Sequence, residues 1–211
     1  MSQTDHIHSL PRYAAHTLSI LLHPLSMVLW MSVMVMFGQV GKLTYPASVR
    51  WYVVGTVAFM TILIPCLFLL LLRLFGVARK LDSTPRRTRI MIMVAVAVCY
   101  TCCGWVFDNV VVLYLVRKML YTATAVVAVL LVFELFYPLS YHTTALGALL
   151  GMMWMLLLVG NTTLLTPFII GIVSVGLLAT SRIYLGDCSF GGAVWGALLG
   201  FALSAGLLVV I

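Results

Sequence analysis

Residues 181–200 read SRIYLGDCSFGGAVWGALLG. An arginine closes one apolar run, a short polar joint follows, and a glycine-spaced apolar run continues to the C-terminus. Arg182 is the only Lys or Arg after Lys118. A charge set among so many apolar residues is costly, and its default reading is functional. Beyond it, Gly192, Gly196, Gly200 and Ser204 recur every four residues, and Gly147 and Gly151 do so once. Small residues at that spacing let membrane helices approach closely, so the last helix is expected to be buried against a neighbour.

The rest of the chain agrees with a membrane setting. Of its 211 residues, 64% are hydrophobic and 8% charged, a balance that soluble domains do not have. The formal net charge of +7 comes from basic residues in short loops between apolar runs. It points to anionic headgroups or phosphorylated ligands, and not to nucleic acid. Four of the five cysteines lie inside apolar runs, so no disulfide framework is expected. Cys99, Cys102 and Cys103 read as small packing residues, because no histidine accompanies them. No metal or cofactor is expected.

The fold expected is all-α, a polytopic bundle of six to seven helices. A polar tail over 1–16 precedes a single transmembrane domain over 17–211. The spans are expected at 18–37, 51–75, 90–107, 119–136, 143–160, 163–180 and 192–211, because bilayer-embedded backbone must satisfy its own hydrogen bonds. His23-Pro24 and Pro65 are expected to kink their helices. His6, His8 and His16 read as part of a solvated tail. The fourth span is short enough that a re-entrant segment is an alternative. Glu134 and Asp108 are expected near interfaces, paired with bases such as Arg117 or Lys118. The loops at 76–89, 137–142 and 181–191 are separated by two helices each and should share one membrane face. The basic loop makes that face cytoplasmic. The expected location is a bacterial inner membrane, multi-pass.

Three segments carry the chemistry. Lys80 and Arg87 stand seven apart in the basic loop. Ser140-Tyr141-His142 opens a helix. Ser181-Arg182 is followed by Cys188 and Gly192. In order and spacing these resemble the three motifs of the type 2 phosphatidic acid phosphatase (lipid phosphate phosphatase) family. Those motifs are Lys, six residues, Arg-Pro; Pro-Ser-Gly-His; and Ser-Arg, five residues, His, three residues, Asp. Departures are visible in each. Thr88 replaces the proline of the first motif, and Leu139 and Tyr141 replace Pro and Gly of the second. Cys188 and Gly192 replace the attacking His and its orienting Asp in the third.

The resemblance implies a six-helix core over residues 52–211. It implies that Lys80, Arg87, Ser140 and Arg182 hold a phosphate, that His142 is the acid for the leaving oxygen, and that Cys188 occupies the nucleophile position. The substrate implied is a phosphorylated lipid or isoprenoid, met among membrane lipids, and a homo-oligomer stays open. With the attacking pair replaced, hydrolysis is expected to be weak or lost. A non-catalytic lipid-binding or membrane-complex subunit and a small transporter stay open beside this reading.

Overall fold

The computed structural model describes residues 22–74, 86–137 and 139–210, apart from the side chain of Val40. The expected tail at 1–16, the start of the first span and Lys80 lie outside the described residues. Among the described residues the regular elements are all helical. They are α1 (Pro24–Phe37), the short α2 (Gln39–Thr44), α3 (Ala47–Leu74), α4 (Arg86–Val106), α5 (Tyr114–Phe136), α6 (Tyr141–Leu158), α7 (Leu165–Tyr184) and α8 (Phe190–Val210). Single 3₁₀ turns, Val111–Leu113 and Thr162–Leu164, lead into α5 and α7. Six of these segments are long and apolar enough to cross a membrane, so the chain is an integral, multi-pass membrane protein.

Several helix boundaries differ from the sequence expectation. His23-Pro24 does not kink a helix. Proline takes the first helical position, where its missing N–H costs nothing, and His23 is the extended residue that caps α1. At Pro65, where a kink was expected, the structure shows an irregular turn. With no N–H the proline cannot bond the Thr61 carbonyl, and the preceding turn, Phe59–Leu63, widens to a π-helix in which the Ile64 N–H reaches the Phe59 carbonyl. The third span ends at Val106, one residue from the expected boundary. The fourth then runs from Val111 to Phe136, and its 26 residues exceed the ~20 a crossing needs. A re-entrant segment is therefore replaced by a full span.

The bundle is organised on α6, the most buried of the six spans, and its largest interface is with α8. The glycines explain how close the two come. A Cβ added at Gly147 would run into the Ala197 carbonyl. One at Gly151 would meet the Phe201 carbonyl and the Ser204 hydroxyl, and one at Gly200 the Thr144 carbonyl. Backbone therefore lies directly on backbone, as the small-residue spacing predicts. α4 and α5 form an antiparallel pair on one side, and α1 packs against α3 and α6. α7 is the least buried span.

The two ends of the bundle hold different charges. At one end, Arg117 Nη1 meets Asp108 Oδ1 at 3.0 Å. Lys118 Nζ donates to the Leu208 carbonyl at 3.2 Å, near the C-terminus of α8. Glu134 is not part of that group, contrary to expectation. Seventeen residues of helix place it roughly 25 Å from Arg117 along α5. At the other end the start of α1, the start of α4, the joint 137–140 and the joint 185–189 come together. The Ser140 N–H, for example, donates to the Gly192 carbonyl at 3.3 Å.

Candidate functional site

Local backbone chemistry builds the last joint. α7 ends with Gly186 in the left-handed region, φ +76°, a conformation that favours glycine. The Gly186 N–H then donates to the Ile183 carbonyl and the Asp187 N–H to the Arg182 carbonyl, both at 3.0 Å. This 6→1 and 5→2 pair is the Schellman closure of a helix end. It folds Asp187 back along the helix it has just left, and its Oδ2 lies 3.1 Å from Arg182 Nη1. Ser189 next caps α8, its hydroxyl accepting from the Gly192 N–H at 3.0 Å.

The joint before α6 is built the same way. The Ser140 carbonyl accepts from the Thr144 N–H at 3.0 Å, and from the hydroxyls of Thr143 and Thr144 at 3.1 and 2.9 Å. The Ser140 hydroxyl is near enough to Cys188 to favour its thiolate form. One residue further, Tyr141 donates its phenol to Glu134 Oε2 at 2.6 Å, and Arg89 Nη2 reaches Glu134 Oε1 at 2.6 Å. Glu134 is thus fully buried with both oxygens occupied. His142 packs edge-on to His23, with ring centroids 5.6 Å apart.

These groups stand at the polar end of a cavity of about 470 Å³. His23, His142, Arg182, Asp187, Arg89 and Tyr141 line that end. Its depth is apolar. On α4 the lining positions are Arg89, Ile92, Met93, Val96 and Tyr100, a helical stripe at i, i+3, i+4, i+7 and i+11. On α6 they run from Tyr141 to Met152. Eleven residues of helix give a depth of roughly 16 Å, about half the hydrocarbon core of a bilayer.

Charge and hydrogen bonding at the polar end are only partly closed. Arg182 and Arg89 each engage one carboxylate, so the formal charges of the two pairs cancel. The Nε of Arg182, the Nε of Arg89 and the Nδ1 of His142 are buried with no hydrogen-bond partner among the described residues. Such orphans are costly when left unmade; the two guanidinium N–H groups lack an acceptor, and the imidazole nitrogen lacks a partner of either kind. Burial, and then the Arg182 charge, hold the His23 imidazole below its usual pKa, so this ring is neutral near pH 7. Burial pushes the Cys188 thiol up. Asp187 adds to that, while the Ser140 hydroxyl and Arg182 oppose it. Cys188 is therefore a protonated, half-buried thiol near neutral pH.

The residues singled out in the sequence are placed unequally. His142 and Arg182 line the cavity. Ser140 and Cys188 adjoin the lining residues Tyr141 and Asp187 in the chain and do not themselves line it. Arg87 is exposed on the first turn of α4 and faces away, and Arg89 lines the cavity instead. Two residues on a helix differ by roughly 200°, so only one of these arginines can face inward. His23, Tyr141 and Asp187 are further site residues that sequence reasoning did not place there. The α4 stripe beginning at Arg89 was the signal for that arginine. His23 had none beyond being a histidine in an apolar run. Among the described residues no group of three His, Cys, Asp or Glu could hold a metal ion.

The fold and the cavity define a polytopic helical membrane protein with an amphipathic internal cavity, cationic groups at its mouth and apolar walls below. The chain matches no family model, no curated protein and no solved structure.

Proposed function

We propose that this is a lipid phosphate phosphatase-like membrane protein whose cavity receives the phosphate of a phosphorylated lipid or isoprenoid, with hydrolysis weak or lost. The observation that carries the reading is the unmet Nε–H of Arg182, with the unpartnered Nδ1 of His142 beside it, at the polar end of an apolar cavity. An amphiphile satisfies both parts. Its anionic head meets charge-assisted donors in low dielectric, and its chain meets the apolar walls. Phosphoryl transfer would further need an in-line nucleophile. Cys188 is a protonated thiol outside the cavity lining, and Gly192 offers no side chain to activate it. Loss of a catalytic nucleophile lowers turnover by on the order of 10⁶ in a well-studied protease.

The transporter reading draws no comparable support. Both oxygens of Glu134, the intramembrane carboxylate it would use, are already bound by Arg89 and Tyr141.

The test is phosphate release from a panel of phosphorylated lipids by the purified protein, compared with Cys188→Ala and with Cys188→His combined with Gly192→Asp. The expected result is release near background in the wild type and in Cys188→Ala, and a rise in the double variant. Robust wild-type release that Cys188→Ala abolishes would make this a cysteine-dependent phosphatase and overturn the reading.

A further inference from the structure

We propose that His23, from outside the three motif segments, is an anion-binding residue of the cavity, presenting its Nε2–H to the ligand's oxyanion beside Arg182 and His142. The inference rests on the reading of the cavity as a phosphate site, and extends it to a residue that reading does not use. Three observations carry it. His23 lines the polar end of the cavity together with His142 and Arg182. Its ring packs edge-on against His142 at 5.6 Å. Its tautomer is set by the helix it caps, because the Leu25 N–H donates to His23 Nδ1 at 3.3 Å. A backbone N–H can only donate, so Nδ1 is the acceptor and the proton of the neutral ring sits on Nε2. With Nδ1 turned back to α1, the Nε2 side of the ring is left to the cavity.

The same tautomer decides between two roles. An imidazole nucleophile needs a lone pair on the nitrogen facing phosphorus and an acceptor behind the other nitrogen to hold its proton. The reverse holds here, since the nitrogen behind accepts and the one in front donates. His23 is therefore a donor to an oxyanion and not a substitute for the nucleophile that position 188 lacks. Its charge state suits the location as well. A neutral ring can stand beside Arg182 without like-charge repulsion and still supply a hydrogen bond. The other charged groups at this end are the Arg182–Asp187 and Arg89–Glu134 pairs, so a neutral donor adds affinity for an anion without a further buried charge.

Substitutions can separate the capping role from the binding role. Asparagine and serine are good helix caps and lack the reach of Nε2, whereas glutamine places an amide N–H near the Nε2 position. The protein is reconstituted in phosphatidylcholine nanodiscs containing phosphatidic acid, and lipid retention is read by native mass spectrometry across a titration of phosphatidic acid content. A second arm titrates inorganic phosphate into nanodiscs free of phosphatidic acid, which separates a lipid headgroup from free phosphate as the ligand. The expected result is that His23→Asn weakens binding by about 10- to 100-fold, as for loss of one hydrogen bond to a charged group, with an unchanged melting temperature. His23→Gln is expected to recover most of that loss. Should His23→Asn fail to fold, His23→Ser carries the same comparison. Wild-type affinity in His23→Asn, alongside weakened binding in Arg182→Ala, overturns the assignment of His23 and leaves the phosphate site standing. Binding that is absent in the wild type, or unaffected by Arg182→Ala, overturns the phosphate site and this inference with it.

Discussion

Replacing Glu134 by leucine should destabilise the protein by about 2 kcal/mol, and most of that should be recovered when Arg89 is replaced as well. Glu134 has 1% of its side chain exposed and sits 2.6 Å from an Arg89 side chain that is 39% exposed. Two unit charges about 4 Å apart at an effective dielectric of 20 attract by about 4 kcal/mol. Three effects change the net figure. Arg89 retains part of its hydration, which weakens the pair. The unfolded chain in detergent finds alternative partners, which lowers measured couplings in membrane proteins. The Tyr141 hydroxyl loses its acceptor, adding about 1 kcal/mol in the other direction. The assay is a double-mutant cycle over Glu134→Leu, Arg89→Leu and the pair, by unfolding in mixed detergent micelles. A coupling energy below about 0.5 kcal/mol would refute the view that this pair holds α4, α5 and α6 together at the cavity mouth.

Four further outcomes follow from the packing and the joints. Gly147→Leu should separate α6 from α8 and cost more than about 2 kcal/mol by the same unfolding assay, because its Cβ would overlap the Ala197 carbonyl. Gly55→Ala, where a Cβ meets nothing within 4 Å, should be neutral or stabilising by about 0.5–1 kcal/mol. Cys188 should alkylate more slowly than a free cysteine at pH 8. Its pKa lies above the ordinary 9.0, so less thiolate is present at that pH, and the rate should keep climbing above pH 9. Asp187→Asn should speed that alkylation by removing a charge that opposes the thiolate, and should also tighten phosphate binding by releasing Arg182 from its carboxylate.

The sequence made the membrane fold legible because length, apolar runs and glycine spacing are properties of single helices. Gly147, Gly151, Gly200 and Ser204 meet where their spacing says they should. The site was less legible, because it depends on which side of a helix a residue takes. Arg87 has the family spacing, but the helix begins at Arg86 and turns Arg87 outward and Arg89 inward. His23-Pro24 looked like a kink inside a long span, whereas the helix starts there and makes the histidine a cap. Asp187 is one residue from Cys188 in the sequence. Its ion pair with Arg182 needed the left-handed Gly186 turn, which brings the chain back on itself.

The central claim is that a phosphate sits on Arg182 inside the cavity. The most direct measurement is a ³¹P–¹⁵N dipolar-recoupling distance by solid-state NMR, on protein with ¹⁵N-labelled arginine in bilayers containing phosphatidic acid. Arg182→Lys serves to assign the signal. A charge-assisted contact predicts a phosphorus–guanidinium distance within about 4 Å, lost in Arg182→Lys. Dephasing that is absent, or that survives unchanged in Arg182→Lys, would contradict the account.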